Sequence, residues 1–362
     1  MEQRCRWGIL GTGKIASVMA HALANSATGQ LVAVASRDQD RARQFASEFG
    51  IGRSYGGYEA LISDPGVDIV YVATHHPAHH ACAIAAAEAG KHLLCEKPLA
   101  MNAALAADIL EAARRNGVFL MEAFAYRSHP QTARLVEILK SGDIGQVLMV
   151  EAAFGYDAGS APDNYLLVRE LGGGSILDVG CYPTSMAHLI AQASSCASTS
   201  AGADVGGAGY IGSSTGVDHY AAAVLRFPTD LIAQVASAVR VNLDNTLAIY
   251  GSEGKLTVPS PWLPGRIGPG PVIVLHRYGS EPREIRVEAD ADIYVLEADA
   301  VGRLVRDGGT SHPLMSWDES LANMTTIDRW RAAIQLTYPD DEDEPNALGT
   351  TAQQPVRSSR DS

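Results

Sequence analysis

The chain has 362 residues, 46% of them hydrophobic and 19% charged, a composition typical of a globular protein long enough for two domains. Its 41 acidic residues exceed its 28 lysines and arginines, which gives a formal net charge of −13. Such a surface repels polyphosphate backbones and anionic bilayers, so neither nucleic acid nor a membrane is an expected partner.

The cysteines and the N-terminus bear on location. Five cysteines form no CxxC pair and leave one over, a usage that fits a reducing compartment. The N-terminus carries no apolar export signal, and no apolar run reaches the roughly 18–20 residues that a bilayer span needs. We expect a soluble cytoplasmic protein with free thiols.

The first third of the chain alternates short apolar runs with alanine-rich stretches. The runs cover residues 7–10, 31–35, 67–73, 92–95 and 118–121. Stretches such as 78–89 and 103–116 predict helices between them. This alternation is typical of βαβ units, so we predict a doubly wound α/β dinucleotide-binding (Rossmann) domain over residues 1–123.

The pattern then changes. Helices are predicted at residues 132–140, 175–191 and 316–336, the last of them amphipathic, and strands at 147–154, 220–227, 232–241, 247–251 and 272–276. Sequential strands without intervening helices favour an open, mostly antiparallel sheet, one face of which needs cover from helices or another subunit. We predict an α+β domain over residues 124–339.

Two segments of this half have unusual composition. Residues 194–216 are rich in Ser, Ala and Gly, which indicates a loop or an edge strand. Residues 340–362 open with an acidic run and hold few apolar side chains, so burial cannot offset their ordering entropy. We predict a disordered acidic tail there.

A glycine-rich turn follows the first predicted strand. The segment Gly11-Thr-Gly-Lys-Ile-Ala16 opens a helix, which is the setting that a GxGxxA dinucleotide-binding turn requires. The first glycine permits the tight turn, the second lets the backbone approach a pyrophosphate, and the helix N-terminus supplies N–H donors. The alternative is an ordinary turn between a strand and a helix.

The end of the second strand distinguishes NAD from NADP. NAD sites place a carboxylate there, whereas NADP sites place an arginine that meets the 2′-phosphate. Here the strand ends in Ser36-Arg37, and a helix from about residue 38 brings Arg41 beside Arg37. The pattern favours NADP over NAD, unless both arginines pair with Asp38 and Asp40 at the surface.

A lysine follows the apolar run at residues 92–95. The run ends in Glu96-Lys97-Pro98, which places Lys97 at the carboxyl end of a parallel strand, where such sheets bind ligands. Pro98 permits a cis peptide in a turn that aims the ammonium at a substrate. The alternative is a surface lysine at a strand end.

An acid and a phenol lie four residues apart at the start of a predicted helix. Asp178 and Tyr182 therefore share one helix face. Oxidising an alcohol by hydride transfer needs a base for the hydroxyl proton, and the reverse reaction needs the same group as an acid. Because a phenol has a pKa of about 10, Tyr182 needs a nearby ammonium, for which Lys97 is the candidate. Asp178 would orient the lysine or the substrate hydroxyl.

Four histidines, at positions 75, 76, 79 and 80, follow the apolar run at residues 67–73. Their spacing is compatible with a metal site, but no local carboxylate or thiolate completes a ligand set. The run also lies where the nicotinamide half of a dinucleotide is expected. We predict that one or two of these histidines line the cofactor pocket and that no metal is bound.

Taken together, these motifs resemble the Gfo/Idh/MocA family of oxidoreductases. The segments that carry the resemblance are residues 11–16, 36–37, 70–74, 89–98 and 172–182. Within the family the chain is most similar to dihydrodiol dehydrogenases and to NADP-dependent D-xylose dehydrogenases. The closer likeness is carried by His76-Pro-Ala-His79, Phe119-Leu-Met-Glu-Ala123 and Phe154-Gly155.

The resemblance implies a Rossmann domain, an open sheet that often forms the face of a homodimer, and three catalytic residues beside the nicotinamide: Lys97, Asp178 and Tyr182. The predicted cofactor-binding residues are Gly11, Thr12, Gly13, Lys14, Ile15, Ser36, Arg37, Arg41, Thr74, His75, His76, His79, Glu96 and Lys97. The predicted substrate-binding residues are Tyr126, Arg127, His129, Phe154, Tyr156, Asp157, Tyr165, Arg169 and Trp262.

The predicted activity is NADP-dependent hydride transfer to or from a sugar-like alcohol or hemiacetal, with Tyr182 as acid/base. The reaction that we expect first among the candidates is oxidation of an aldose such as D-xylose to its lactone. Oxidation of a trans-1,2-dihydrodiol and reduction of a deoxysugar ketone are alternatives. A non-catalytic NADP-binding sensor is the alternative from a different class, and the intact catalytic set argues against it.

Overall fold

The computed structural model describes residues 4–161, 164–195, 201–228, 230–268 and 270–341. The strands of its first sheet are β1 (Cys5–Leu10), β2 (Gly29–Ala35), β3 (Arg53–Tyr55), β4 (Ile69–Val72), β5 (His92–Glu96) and β6 (Leu120–Ala123). The helices between them are α1 (Lys14–Asn25), α2 (Gln39–Phe49), α3 (Tyr58–Ile62), α4 (His79–Glu88) and α5 (Ala103–Asn116). All strand pairs are parallel, in the order β3-β2-β1-β4-β5-β6.

This order is that of a doubly wound dinucleotide-binding fold, so the predicted Rossmann domain is confirmed. The apolar runs are strands because helices cover both sheet faces; every residue of β4 is buried. Alanines on α4 and α5 allow close packing, since Ala83, Ala86 and Ala112 are fully buried. The short strand β3 has no apolar run and was not predicted.

The strands of the second sheet are β7 (Val147–Gly155), β8 (Asp204–Ile211), β9 (Asp218–Arg226), β10 (Ile232–Ala238), β11 (Leu247–Gly251), β12 (Gly254–Val258), β13 (Val272–Arg277) and β14 (Arg283–Arg286). They are ordered β14-β13-β12-β11-β7-β10-β9-β8. Only β7 and β10 pair in parallel. The predicted open, mostly antiparallel sheet is confirmed.

The remaining helices are α6 (Pro130–Ser141), α7 (Cys181–Ser195), α8 (Ile293–Arg306) and α9 (Trp317–Ala333). Helices α6, α7 and α9 pack against the second sheet, whereas α8 returns to pack on α1 and β2 of the first domain. Thr28 donates its backbone N–H to Asp299 of α8 at 3.0 Å. The predicted boundary near residue 123 therefore does not separate the two domains completely in space.

Several predicted elements differ in detail. Within the segment expected to be a loop or an edge strand, residues 204–211 form the edge strand β8, and residues 196–200 lie outside the described residues. Helix α9 is not amphipathic, because polar side chains such as Glu319 and Asn323 are buried along with its apolar ones. The predicted tail begins with an ordered turn, in which Asp341 lies 2.7 Å from Arg331. The rest of that predicted tail, residues 342–362, lies outside the described residues.

Two further observations concern helix hydrophobicity and the described cysteines. Within the described residues, no helix is both long enough and apolar enough to cross a membrane. Cys5, Cys82, Cys95 and Cys181 are buried free thiols.

Candidate active site

A cavity of about 810 Å³ runs along the carboxyl edge of the first sheet and reaches the second domain. It is lined by eighteen of the predicted site residues: Gly11, Thr12, Gly13, Lys14, Ile15, Ser36, Arg37, Arg41, Thr74, His75, His76, Glu96, Lys97, Phe154, Tyr156, Tyr165, Asp178 and Tyr182. The glycine turn and the three predicted catalytic residues thus share one cavity.

The glycine turn has the features that a pyrophosphate requires. Gly11 adopts a φ of +108°, and a Cβ there would lie 2.3 Å from the Ala73 carbonyl oxygen. A Cβ on Gly13 would meet no atom within 4 Å, so the space beside it is open. Helix α1 begins without a side-chain cap or an acidic residue, which leaves its first N–H groups available to an anion.

The end of β2 presents cations to the same cavity. Arg37 lies beside the Tyr58 hydroxyl, and both line the cavity with Arg41. Asp38 also lines this cavity, and its Oδ1 accepts the backbone N–H groups of Asp40 and Arg41 at the start of α2. The Arg41–Asp38 pair is long, at 3.9 Å, and exposed, so it restrains Arg41 little.

Lys97 stands on a turn that contacts with two other residues hold in place. The Lys97–Pro98 peptide is cis. The Pro98 carbonyl is 2.9 Å from Nδ1 of His79, and the Leu99 N–H donates to Glu122 Oε1 at 2.9 Å. These bonds fix the direction in which Lys97 leaves β5.

Lys97 and Asp178 connect the two domains across the cavity. Lys97 Nζ donates to the Asp178 carbonyl oxygen at 2.6 Å and to its Oδ1 at 3.2 Å. The Tyr156 hydroxyl donates to the other carboxylate oxygen, Oδ2, at 2.6 Å. Asp178 lies on a π-helical turn, Ile176–Gly180, that leads into α7. Asp178 therefore holds the ammonium in place.

Tyr182 lies beside Lys97 in an aromatic setting. Lys97 Nζ is 5.3 Å from the centroid of the Tyr182 ring. Phe124 and Phe154 pack edge to face on this ring, each with centroids 5.1 Å away. Within the described part of the chain, the Tyr182 hydroxyl has no hydrogen-bond partner. It is therefore available to a substrate.

Burial and the ion pair set the charges of this group. Burial opposes the charge of Lys97, but Asp178 and then Tyr182 outweigh it and raise the pKa of Lys97 well above its usual value. Despite burial, the ammonium keeps the pKa of Asp178 low. Burial raises the pKa of Tyr182 well above 10, while Lys97 acts to lower it. Lys97 is thus a cation, Asp178 an anion and Tyr182 a neutral phenol near pH 7.

The four histidines have separate environments. His76 lines the cavity and donates from Nδ1 to the Gly172 carbonyl, and burial lowers its pKa to about 3. His75 also lines the cavity, next to the Tyr165 ring. His79 lies behind the residues that line the cavity, near the Pro98 and Thr74 carbonyls. His80 contacts Asp108. Among described residues, no three metal-binding side chains come together.

Six predicted substrate residues lie outside this cavity: Tyr126, Arg127, His129, Asp157, Arg169 and Trp262. Tyr126 and Arg127 are buried in the core, and the His129 side chain caps α6. Asp157 pairs with Arg240 at the surface, and Arg169 bonds to Thr337. Trp262 lies behind Phe154, stacked on its ring at 5.8 Å.

Other cavity residues were not predicted. Tyr58 begins α3, Leu263 and Arg266 lie between β12 and β13, and Tyr294 lies in the first turn of α8. Arg266 stands over the Tyr294 ring at 4.8 Å and pairs with Asp292 at 2.8 Å. Tyr58 was missed because the strand β3 that precedes it has no apolar run. No local signal marks Arg266 or Tyr294.

Comparison with known proteins now bears on this site. Residues 5–124 match the oxidoreductase family with an NAD-binding Rossmann fold, and residues 132–257 match the GFO/IDH/MocA C-terminal domain. A trans-1,2-dihydrobenzene-1,2-diol dehydrogenase of Xenopus tropicalis is 36% identical over 92% of this chain and 99% of its own length. The chain belongs to the Gfo/Idh/MocA family. As a member it is an oxidoreductase of the dehydrogenase/reductase type with a nicotinamide dinucleotide cofactor.

Other similar proteins extend this comparison. The mouse enzyme of the same name is 32% identical over 93% of this chain and 99% of its own length. KijD10, a 3-ketoreductase from Actinomadura kijaniata in complex with NADP and TDP-benzene, has a TM-score of 0.81 at 27% identity, covering 92% of this chain and 98% of its own. An aldose-aldose oxidoreductase from Caulobacter crescentus shares the fold, with a TM-score of 0.80 at 24% identity and the same coverage.

Proposed function

We propose that this protein is an NADP-dependent dehydrogenase or reductase that moves hydride to or from a hydroxyl-bearing carbon of a sugar-like or cyclic diol substrate, with Tyr182 as acid/base. One observation carries the proposal. A lysine from the first domain and a phenol from the second stand within 5.3 Å, ammonium to ring centroid, in the cavity that contains the glycine turn.

The preference for NADP is supported by the end of β2. Arg37 and Arg41 offer two guanidinium groups to a 2′-phosphate, and such charge-assisted pairs are strong. Asp38 also lines the cavity, but one of its carboxylate oxygens caps α2, and two guanidinium groups face this single carboxylate at the end of β2. The related ketoreductase KijD10 was crystallised with NADP.

The chain's own residues handle the proton. A bound nicotinamide accepts or supplies the hydride. In reduction, the neutral Tyr182 phenol donates its proton to the developing alkoxide oxygen. In oxidation, the phenolate takes the hydroxyl proton, and the Lys97 ammonium favours that phenolate by charge.

Asp178 has a supporting role. Its carboxylate accepts from Lys97 and from the Tyr156 hydroxyl, so it holds one cation and one donor beside the phenol. Because the carboxylate is buried and paired, it stabilises the ammonium on which Tyr182 depends. We assign proton transfer to Tyr182 and orientation to Asp178.

The substrate half of the cavity favours a substrate that contains a ring. Phe154, Tyr165 and Tyr182 present aromatic surfaces there, which pack well against the apolar face of a sugar or cyclic diol. The relatives named dihydrobenzenediol dehydrogenases support a cyclic vicinal diol, and KijD10 supports a ketosugar. Oxidation of an aldose such as D-xylose to its lactone remains our proposal alongside these.

A substrate panel tests the function. Absorbance of reduced nicotinamide would be followed with D-xylose and other aldoses, trans-1,2-dihydrobenzene-1,2-diol, and ketosugars, with NADP(H) and NAD(H) in parallel. We expect turnover in at least one class, faster with NADP(H). Silence across the panel from protein that still binds NADPH would contradict catalysis and favour the sensor.

We also propose that a second copy covers the open sheet. On β9, Tyr220 and Val224 are 47% and 50% exposed while the alternate residues are buried, and Ile232 of β10 is 39% exposed beside them. These three side chains form an apolar patch, with Arg226 and Gln234 beside it, in a chain of net charge −13, so a second copy meets less repulsion here than at an acidic surface. Light scattering should show a dimer that Val224→Arg dissociates; a monomeric wild-type chain would contradict the proposal.

A further inference from the structure

The segment that leads to Asp178 and Tyr182 is held by a buried carboxylate that the proposed mechanism does not use. Asp218, the first residue of β9, is fully buried. Its Oδ2 accepts from the Ser175 hydroxyl at 2.5 Å and from the Ile176 backbone N–H at 2.8 Å. Two hydrogen bonds thus tie the start of the π-helical turn to the second sheet.

The surroundings leave this anchor little freedom. The Ser175 hydroxyl also lies 2.8 Å from that of Ser237 on β10. Gly174 has a φ of +107°, and a Cβ there would lie 2.3 Å from Asp218 Oδ1. The Tyr338 hydroxyl, which lies near the same carboxylate, donates to the Gly173 carbonyl. The chain before Ile176 is therefore bonded both to the sheet and to the C-terminal segment.

Burying the Asp218 carboxylate costs more folding stability than a purely structural role requires. No ion-pair partner of Asp218 occurs in the described ranges, and its Oδ1 accepts no hydrogen bond there. Burial without a cation raises its pKa to about 6. Buried charges are normally paired, so a well-packed neutral residue would cost less stability here. The hydrogen bonds of Asp218 therefore indicate that this residue holds the turn in a required geometry.

We propose that Asp218 is a positioning residue that fixes the Ile176–Gly180 turn so that Asp178 and Tyr182 face Lys97. The inference rests on the proposed function of those three residues. The Ile176 N–H lies two residues before Asp178, whose carbonyl and carboxylate both hold Lys97 Nζ. A shift of this turn would therefore move Asp178 and Tyr182 together relative to Lys97.

Asp299 offers a matched control. Its Oδ1 accepts from the Ser26 hydroxyl at 2.5 Å and from the Thr28 backbone N–H at 3.0 Å, the same kinds of bond that Asp218 makes. Asp299 lies on α8 and does not line the cavity. Asp299→Ala should lower thermal stability without changing kcat, which separates general destabilisation from positioning.

The experiment compares Asp218→Ala, Asp218→Asn and Asp299→Ala for kcat, KM, NADPH affinity and amide hydrogen exchange. Asp218→Ala should lower kcat about 10- to 100-fold through misplacement of reacting groups, with NADPH affinity unchanged within about twofold. Exchange should accelerate in the peptide that covers residues 176–182. Asp218→Asn keeps an acceptor oxygen for both donors and should stay within about threefold of the parent kcat.

Two outcomes would overturn the proposal: a parental kcat and parental exchange in Asp218→Ala, or a kcat loss equal to that of Asp299→Ala. If Asp218→Ala does not fold, Ser175→Ala replaces it, with an expected kcat loss of about 3- to 10-fold from one missing bond. If no substrate is turned over by the parent chain, the proposed function fails, while the exchange data still decide whether Asp218 holds the turn.

Discussion

The cofactor half and the substrate half of the cavity are built in different ways. Turns that directly follow β1, β2 and β5 form the cofactor half, so each residue is placed by its immediate neighbours; Gly11, with its φ of +108°, is an example. The substrate half combines side chains from β7, the turn at Tyr165, the start of α7, the connection before β13, and α8. Local sequence therefore encodes the first half, and tertiary packing decides the second.

Arg127 shows what this difference means for individual residues. Arg127 is close in sequence to residues that line the cavity, yet its own side chain is fully buried. It donates to Glu319 at 2.9 Å and to the Ser185 carbonyl at 2.7 Å, which joins α9 to α7. A charged residue near a site can thus support the elements that carry the site without contacting a ligand.

The largest effect is expected at Tyr182. Tyr182→Phe removes the acid/base hydroxyl, which should reduce kcat by about 10²- to 10⁴-fold and leave NADPH affinity unchanged. Tyr165→Phe, which changes another phenol of the same cavity, should have a much smaller effect on kcat. A Tyr182→Phe variant with parental kcat, measured by nicotinamide absorbance, would transfer the acid/base role to another group.

Arg127→Ala should act on stability instead of chemistry. It leaves Glu319 buried without its cation, so the free energy of unfolding should fall by about 3–5 kcal/mol in denaturant titrations. Arg134→Ala is the control, because the exposed Arg134–Glu137 pair should contribute less than about 1 kcal/mol. Parental stability with a raised substrate KM would place Arg127 in the substrate site after all.

The arginines at the end of β2 should act on cofactor choice alone. Changing Arg37 and Arg41 together to Ala should weaken NADPH binding about 10- to 100-fold, because charge-assisted bonds to a phosphate are lost, and leave NADH binding unchanged. Fluorescence titration measures both. Arg43→Ala on the same helix, where Arg43 pairs with Asp40, is the control. Equal losses for NADH and NADPH would contradict a role in reading the 2′-phosphate.

The pH dependence should differ between the two directions. Burial raises the pKa of Tyr182, so the acid form predominates near neutrality and reduction should be flat between about pH 6 and about pH 9. Oxidation needs the phenolate, so its kcat/KM should rise about tenfold per pH unit over this range. Lys97→Met removes the cation that lowers this pKa and should shift the rise to higher pH. A flat oxidation profile would contradict Tyr182 as the base.

The same contrast explains which parts of the fold could be predicted. The strands of the first sheet are buried on both faces, so their apolar runs are visible in the sequence. Strand β14 has no buried residue, and β8 is rich in glycine and alanine, so neither shows an apolar run or alternation. Helix α8 follows a loop and packs on the first domain. Local periodicity does not reveal on which domain a helix packs.

The site shows the same limit. Lys97 could be predicted because it ends a parallel strand, and Tyr182 because it shares a helix face with Asp178. Tyr294 and Arg266 could not, since they reach the cavity only through the packing of α8 and the loop before β13. Trp262 was predicted to contact substrate, but the Phe154 ring stands between it and the cavity.

A crystal structure of the protein with NADP⁺ bound tests the central claim most directly. We expect the pyrophosphate at the start of α1, the 2′-phosphate at Arg37 and Arg41, and the nicotinamide ring within contact distance of both Lys97 and Tyr182. A nicotinamide ring that lies away from these two side chains, with the phenol facing a different surface, would contradict the account.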